Sequence, residues 1–328
     1  MRSVLAAAAA ALLLSAGGAQ AQTGPEASAA WWRGYTTQAK AFRLEDGRML
    51  KMYCMGSGGP VVIMESGLGS AGWSWRPVQA EIAKTAYACV YDRAGYFGRS
   101  TPSDGPRDAG AEAEDLAGLL KAARLPGPYI VVGHSYGGYI ARLFAYRYPK
   151  AVAGLVLVDP STEHQMARLS EVAGRPSSVT EERAKLQRCS AEARPADPDA
   201  CLIRPIPADL PEHLRDWFRV AQDGEYASAM LRENEAMETV SSDLLIAERK
   251  PVQAPAIILA RDPQLAPAEG PREARWQLLQ KETAASLGPQ AQVRVVDGAP
   301  HRVQDTRPEA IVQAVRDVIA ASGGQRAD

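Results

Sequence analysis

The sequence predicts an α/β architecture: a mostly parallel sheet flanked by helices on both faces, with a helical insertion. Three observations predict it. Short apolar runs alternate with amphipathic helical patterns along most of the chain. A serine flanked by glycines stands between one such run and the helical pattern after it. One interval, residues 160–250, breaks the alternation and reads as helices alone. A chain of 328 residues suits one large domain carrying an insertion.

The first residues stand apart from the fold. Arg2 gives a positive start, Val4–Leu14 is an apolar run, and Ala19-Gln20-Ala21 matches an A-x-A cleavage site. This pattern predicts a secretory signal peptide over residues 1–21, cut after Ala21. The run is too short to span a bilayer, no stop-transfer flank follows it, and no Cys follows the small residues. No stable membrane anchor is therefore expected, and the remaining chain is expected in the periplasm or outside the cell.

The strands follow in order. Leu50–Cys54 comes after the turn Asp46-Gly47, and Val61–Met64 after Gly-Gly-Pro. Tyr87–Tyr91, Tyr129–Val132, Leu155–Val158, Ala256–Leu259 and Val293–Val296 complete the series. Each is brief, rich in β-branched or aromatic residues, and bounded by Gly, Pro or Asp, as buried strands are. Between them Ala111–Ala123, Ile140–Tyr148 and Glu309–Ala320 carry helical periodicity. Such alternation gives a parallel sheet covered on both faces.

Residues 160–250 hold several helical patterns and Pro-rich joints at Arg194–Pro198 and Arg204–Pro211. Their apolar content is sparse for a separate core. They are expected to form a lid between two strands, where insertions in such sheets often roof the site. The core is then 22–159 with 251–328, ending in a polar tail, Ser322–Asp328.

Composition excludes several partners. Hydrophobic residues are 46%, charged residues 23%, and the formal net charge is −1. No global field draws the chain to nucleic acid, an anionic membrane or a polyanionic substrate. Four cysteines are too few for a disulfide scaffold, so a packed core must carry the fold. No metal cluster or phosphate loop is visible, so no cofactor is expected.

Gly133-His134-Ser135-Tyr136-Gly137-Gly138 matches G-x-S-x-G, directly after the strand Tyr129–Val132 and before a helix. In that context the motif forms a sharp turn that exposes the serine above the strand ends, and Ser135 becomes the candidate nucleophile. A serine at neutral pH needs a base. The chain has only four histidines. His134 belongs to the turn and cannot fold back onto Ser135, and His164 and His213 lie in the insertion. His301 follows the last strand, just before the final helix, and is the candidate base.

With these motifs stand Glu65-Ser66-Gly67-Leu68-Gly69, Tyr91-Asp92-Arg93-Ala94-Gly95-Tyr96, Val156-Leu157-Val158-Asp159-Pro160 and Trp276 with Leu278-Leu279-Gln280. Together they resemble a group of bacterial α/β-hydrolases over most of residues 45–320, except much of the insertion. The resemblance implies the α/β-hydrolase fold and the chain order nucleophile, acid, histidine. It leaves the substrate open, since one fold hosts many reactions. Epoxide hydrolases and dehalogenases of that fold use an aspartate nucleophile, and Ser135 argues against both.

The resemblance also implies an oxyanion hole made by two backbone N–H groups, that of Tyr136 after the nucleophile and that of Leu68 after the third strand. Two aspartates compete for the acid. Asp262 follows the strand that most often precedes the acid in this fold, but comes early counted from Pro255. Asp159 ends the preceding strand, where some members carry their acid, and is preferred. The strand order of the fold makes Cys54 and Cys89 neighbours, and Cys189 and Cys201 close a short loop. The expected disulfides are Cys54–Cys89 and Cys189–Cys201, which an oxidising compartment permits.

The expected activity is hydrolysis of a small apolar carboxylic ester through an acyl-enzyme. An amidase or peptidase with the same residues is the first alternative, and a binding protein on an inactive hydrolase scaffold the second. Trp217, Phe218 and Met230 of the insertion are candidates to line the substrate pocket, where Met and flat aromatic surfaces suit apolar ligands. The other possibility for them is packing of the lid onto the sheet.

Overall fold

Eight strands pair into one sheet in the order β1-β2-β4-β3-β5-β6-β7-β8. In chain order they are β1 (Lys40–Arg43), β2 (Met49–Met55), β3 (Val61–Glu65), β4 (Tyr87–Tyr91), β5 (Tyr129–His134), β6 (Val152–Val158), β7 (Ala256–Ala260) and β8 (Ala291–Val295). β2 runs antiparallel to both β1 and β4, and all pairings from β4 to β8 are parallel. The computed structural model describes residues 25–173, 179–192 and 197–323. The expected signal segment, most of the polar tail and most of the joint Arg194–Pro198 lie outside them.

Twelve helices accompany the sheet among the described residues: α1 (Pro25–Thr37), α2 (Arg76–Ile82), α3 (Ala109–Ala122), α4 (Gly137–Arg147), α5 (Gln165–Ala173), α6 (Val179–Ser190), α7 (Glu212–Val220), α8 (Gly224–Met237), α9 (Val240–Ala247), α10 (Gly270–Leu287), α11 (Val303–Thr306) and α12 (Pro308–Ala321). The central strands β3 to β7 read as mainly apolar runs because both sheet faces are covered there. Val62, Met64, Ile130, Val132, Val156 and Val158 face one core with α1, α2 and α12. Val61, Ile63, Val131, Leu155 and Leu157 face the other with α3 and α4. This two-residue alternation is what a pleated strand imposes.

The last strand departs from expectation. β8 starts two residues earlier than the predicted Val293–Val296, and it is an edge strand with three of its five residues partly buried and two exposed. Both β1 and α1 carry no prediction from the sequence. α1 nevertheless buries Trp31, Trp32 and Tyr35 against the sheet.

Between β6 and β7 the chain forms α5 to α9 with no strand among the described residues. Leu186, Phe218, Tyr226 and Met230 of this segment join the same apolar cluster as Val62, Met64 and Val132 of the sheet. These residues pack the segment onto the main core, while Leu169 of α5 packs with Trp276 and Leu279 of α10. Both expected disulfides are present: Cys54 and Cys89 face each other across β2 and β4, and Cys189–Cys201 ties α6 to the following turn. No helix among the described residues is long and apolar enough to cross a membrane.

Candidate active site

β5 ends in a turn that the surrounding backbone makes tight. Ser135 sits at φ +52°, a left-handed conformation unfavourable for a residue with a side chain. The flanking glycines are required by contact. A Cβ at Gly133 would stand 2.5 Å from the Gly137 carbonyl oxygen, and one at Gly137 only 2.6 Å and 2.7 Å from the Glu65 and Ser66 carbonyl oxygens. One at Gly138 would stand 2.5 Å from the Pro160 side chain. Close packing of α4 against the ends of β3 and β6 thus lifts Ser135 out of the strand.

His301 comes from the loop after β8. Its Nε2 lies 3.0 Å from the Ser135 Oγ, and its Nδ1 lies 2.6 Å from Oδ2 of Asp159. Asp159 ends β6 and is fully buried. Its other oxygen accepts from the Trp276 indole N–H at 2.8 Å and from the Arg261 backbone N–H at 3.1 Å. Burial works against its charge, but the hydrogen bond and charge of His301, the Arg261 guanidinium and Trp276 outweigh it and hold the carboxyl below its ordinary range. A serine, a histidine and an ionised carboxylate therefore stand in one hydrogen-bonded line.

Asp262 stands elsewhere. Its carboxylate accepts from the backbone N–H groups of Gln264 and Gly298, both at 2.8 Å, and its own N–H donates to the Ala299 carbonyl. It caps a short turn after β7 and braces the loop that carries His301, with no hydrogen bond to the imidazole. The sequence ranked Asp159 first only by its place at a strand end; the contacts from Arg261 and Trp276 that surround its carboxylate are not visible there.

His134 has a role that the motif alone does not reveal. Its Nε2 lies 3.0 Å from the His301 carbonyl oxygen and its Nδ1 lies 3.3 Å from Nε2 of Gln304. The ring is buried and 4.9 Å from that of His301. Burial first, then the neighbouring positive charges of His301 and Arg302, push its pKa well down. A neutral ring that donates from Nε2 and accepts at Nδ1 satisfies both partners.

The loop after β3 lies against the serine. A Cβ at Gly67 would be 3.2 Å from the Ser135 Cβ and 2.9 Å from His134 Nδ1. Among the described residues, no protein acceptor takes the N–H of Leu68 or of Tyr136. The Gly67 carbonyl accepts from Arg93 Nη2 at 3.1 Å and from the Ser70 N–H at 3.0 Å, and the Ser66 carbonyl from Arg93 Nη1 at 2.6 Å. A trans peptide points its N–H opposite to its carbonyl, so holding the Gly67 oxygen aims the Leu68 N–H away from Arg93. Arg93 is itself buried and paired with Glu65 at 2.6 Å and with Glu233 of α8 at 2.9 Å.

The three pocket candidates differ in placement. Phe218 is fully buried against Trp73 and Phe97, with ring centroids 5.4 and 5.1 Å apart. Met230 is fully buried, with its sulfur 3.7 Å from Arg204 Nη2. Trp217 is only half-buried beside Phe218. The first two pack the insertion onto the loops around the sheet. Two surface grooves, of about 580 and 750 Å³, are lined by Asp46, Arg48, Glu114 and Asp115 with their neighbours and include none of the residues above. No group of three or more His, Cys, Asp or Glu among the described residues is arranged to hold a metal ion.

A model of the alpha/beta hydrolase family matches residues 61–314. The protein YqjL of Bacillus subtilis (strain 168), described only as uncharacterized, is 35% identical over 134 residues, 40% of this chain and 50% of that protein. The chain thus spans half the length of this relative. A candidate lipase from Acinetobacter baumannii superposes with a TM-score of 0.65 at 19% identity, covering 94% of this chain and 100% of that one. A candidate epoxide hydrolase from Pseudomonas aeruginosa superposes with a TM-score of 0.63 at 20% identity, covering 88% and 97%. At these identities the two structures show a shared fold and nothing about substrate.

Proposed function

The chain belongs to the alpha/beta hydrolase family, and on that premise we propose that it is a serine hydrolase cleaving small apolar carboxylic esters through an acyl-enzyme. The observation that carries the reading is the unbroken line Ser135–His301–Asp159, at 3.0 and 2.6 Å. Ser135 Oγ attacks the ester carbonyl while His301 Nε2 takes its proton. Asp159 holds the imidazole by Nδ1 and stabilises its charged form. The N–H groups of Tyr136 and Leu68 receive the negative charge that develops on the substrate oxygen; being backbone groups, they need no reorientation at that moment. His301 then returns the proton to the departing alcohol, and water clears the acyl group by the same route.

A serine at position 135 supports acyl transfer over epoxide opening, which needs a carboxylate there. The two disulfides support export to an oxidising compartment. Initial rates on 4-nitrophenyl esters of graded acyl length, beside the matching 4-nitroanilides, test the reading. Short esters should turn over and anilides should not. Faster cleavage of the anilides would make the protein an amidase, and turnover of neither would favour a binding role.

A further inference from the structure

We infer that the insertion completes the oxyanion hole, with Arg204 and Tyr226 acting as positioning residues for the Leu68 N–H. This rests on the serine-hydrolase reading and deepens it. Arg204 Nη2 donates to the Leu68 carbonyl at 3.0 Å, and its Nε to the Gly69 carbonyl at 3.2 Å. The Tyr226 hydroxyl donates to the same Gly69 carbonyl at 2.7 Å, and the Gly69 N–H donates to the Tyr96 hydroxyl at 3.1 Å. Gly69 has φ +65°, and a Cβ there would stand 2.5 Å from Arg204 and 2.6 Å from Met230. Glycine lets the insertion close directly onto the loop backbone.

The N–H of Leu68 belongs to the Gly67–Leu68 peptide, whose carbonyl Arg93 holds from the core. A planar peptide can still flip if its neighbour rotates in compensation. Arg204 grips the next plane by the Leu68 carbonyl and, with Tyr226, the one after by the Gly69 carbonyl. With three consecutive planes pinned, the Leu68 donor stays aimed before any charge develops, as preorganised catalysis requires.

Arg204 is braced for this task. Its backbone is bridged on both sides by the buried Gln222 amide, N–H to Oε1 at 2.6 Å and Nε2 to the carbonyl at 3.0 Å. Its Nη1 is paired with Glu182 of α6 at 3.1 Å. The Cys189–Cys201 disulfide fixes the chain three residues before it. A planar guanidinium can reach two adjacent carbonyls at once, which an ammonium cannot do as well.

The test uses the full chain as wild type, Arg204→Met, Arg204→Lys and Tyr226→Phe. Four quantities are read: kcat and KM on 4-nitrophenyl acetate, the rate of phosphonylation by a fluorophosphonate, the affinity for phenylboronic acid, and Tm. Arg204→Met should lose about 10- to 100-fold in kcat, with phosphonylation and boronate affinity falling in parallel and KM nearly unchanged. Arg204→Lys should fall between it and wild type. Tyr226→Phe, which removes one hydroxyl and keeps the ring packed, should lose about 3- to 10-fold in the same three readouts with Tm almost unmoved. Wild-type kcat and phosphonylation in a folded Arg204→Met overturn the inference, as does a rise in KM alone, which would make Arg204 a substrate contact. If Arg204→Met does not fold, wild-type rates in Tyr226→Phe overturn it. A wild type that resists the fluorophosphonate altogether refutes the serine-hydrolase reading itself, and the inference with it.

Discussion

At Asp159, burial and charge pull in opposite directions, and the partners decide the outcome. The carboxylate is fully buried yet has four groups turned toward it, from His301, Trp276 and the backbone and side chain of Arg261. Under the proposed mechanism Asp159→Asn presents the wrong tautomer of His301 to Ser135, and kcat should fall by about 10⁴. Asp262→Asn still offers an oxygen to the Gly298 N–H and should keep kcat within about tenfold of wild type. Comparable loss in both variants would remove the distinction that the hydrogen bonds draw. Glu163 gives a second residue-level prediction. Burial pushes its carboxyl up, but the charge and hydrogen bond of Arg142, with Arg249 beside it, bring it down to about 2. A pKa lowered on folding adds stability that is full above the unfolded value and lost as pH falls toward the folded one. Glu163→Gln should therefore cost about 3 kcal/mol at neutral pH. The gap to wild type should shrink as pH drops from about 5 toward 2. A constant gap in denaturation measured across that range would contradict the assignment.

The elements carry a contrast between glycines. Gly137 opens α4 against the backbone of Glu65 and Ser66, where the neighbours cannot give. Gly270 opens α10 with nothing within 4 Å of a Cβ. Gly137→Ala should lower both Tm and turnover severely, while Gly270→Ala should be neutral or add up to about 1 kcal/mol through the unfolded chain. Thermal unfolding of the two variants checks this directly. The same level shows what the sequence could carry. Strands β3 to β7 were legible because both of their faces are buried, so each is a mainly apolar run between turn residues, and β2, half-buried and carrying Lys51, was legible from its apolar neighbours. β8 was legible only in part, since an edge strand mixes polar and apolar residues. α1 escaped because its buried side chains, Trp31, Trp32 and Tyr35, cluster within five positions and leave no long periodic stripe. β1 is four residues, mostly exposed, and exists through pairing with β2. At the site, Ser135 and His301 were legible from motif and position. Arg204, Tyr226 and the brace from Gln304 to His134 were not, because no motif marks them and their distant partners are backbone carbonyls or a ring nitrogen that only the folded chain brings near.

At the scale of the whole molecule the insertion, the sheet and the disulfides act together. Phe218 is locked between the insertion and the loops after β3 and β4, so Phe218→Ala should destabilise the chain by about 3–5 kcal/mol. A ranking of short against long esters left unchanged in that variant would assign the residue to packing alone, and a changed ranking would return it to the substrate pocket. Cys54–Cys89 closes 35 residues and joins the antiparallel end of the sheet to its parallel part. Replacing both cysteines by serine should cost about 4 kcal/mol in the chain-entropy picture, and chemical denaturation reads that value. Everything proposed about activity depends on one atom, the Oγ of Ser135. Incubation of wild type and Ser135→Ala with a fluorophosphonate, followed by peptide mass spectrometry, tests it most directly. A single covalent adduct is expected on the peptide containing Ser135 in the wild type, and none in the variant. Equal labelling of both proteins, or an adduct on any other residue, would contradict it.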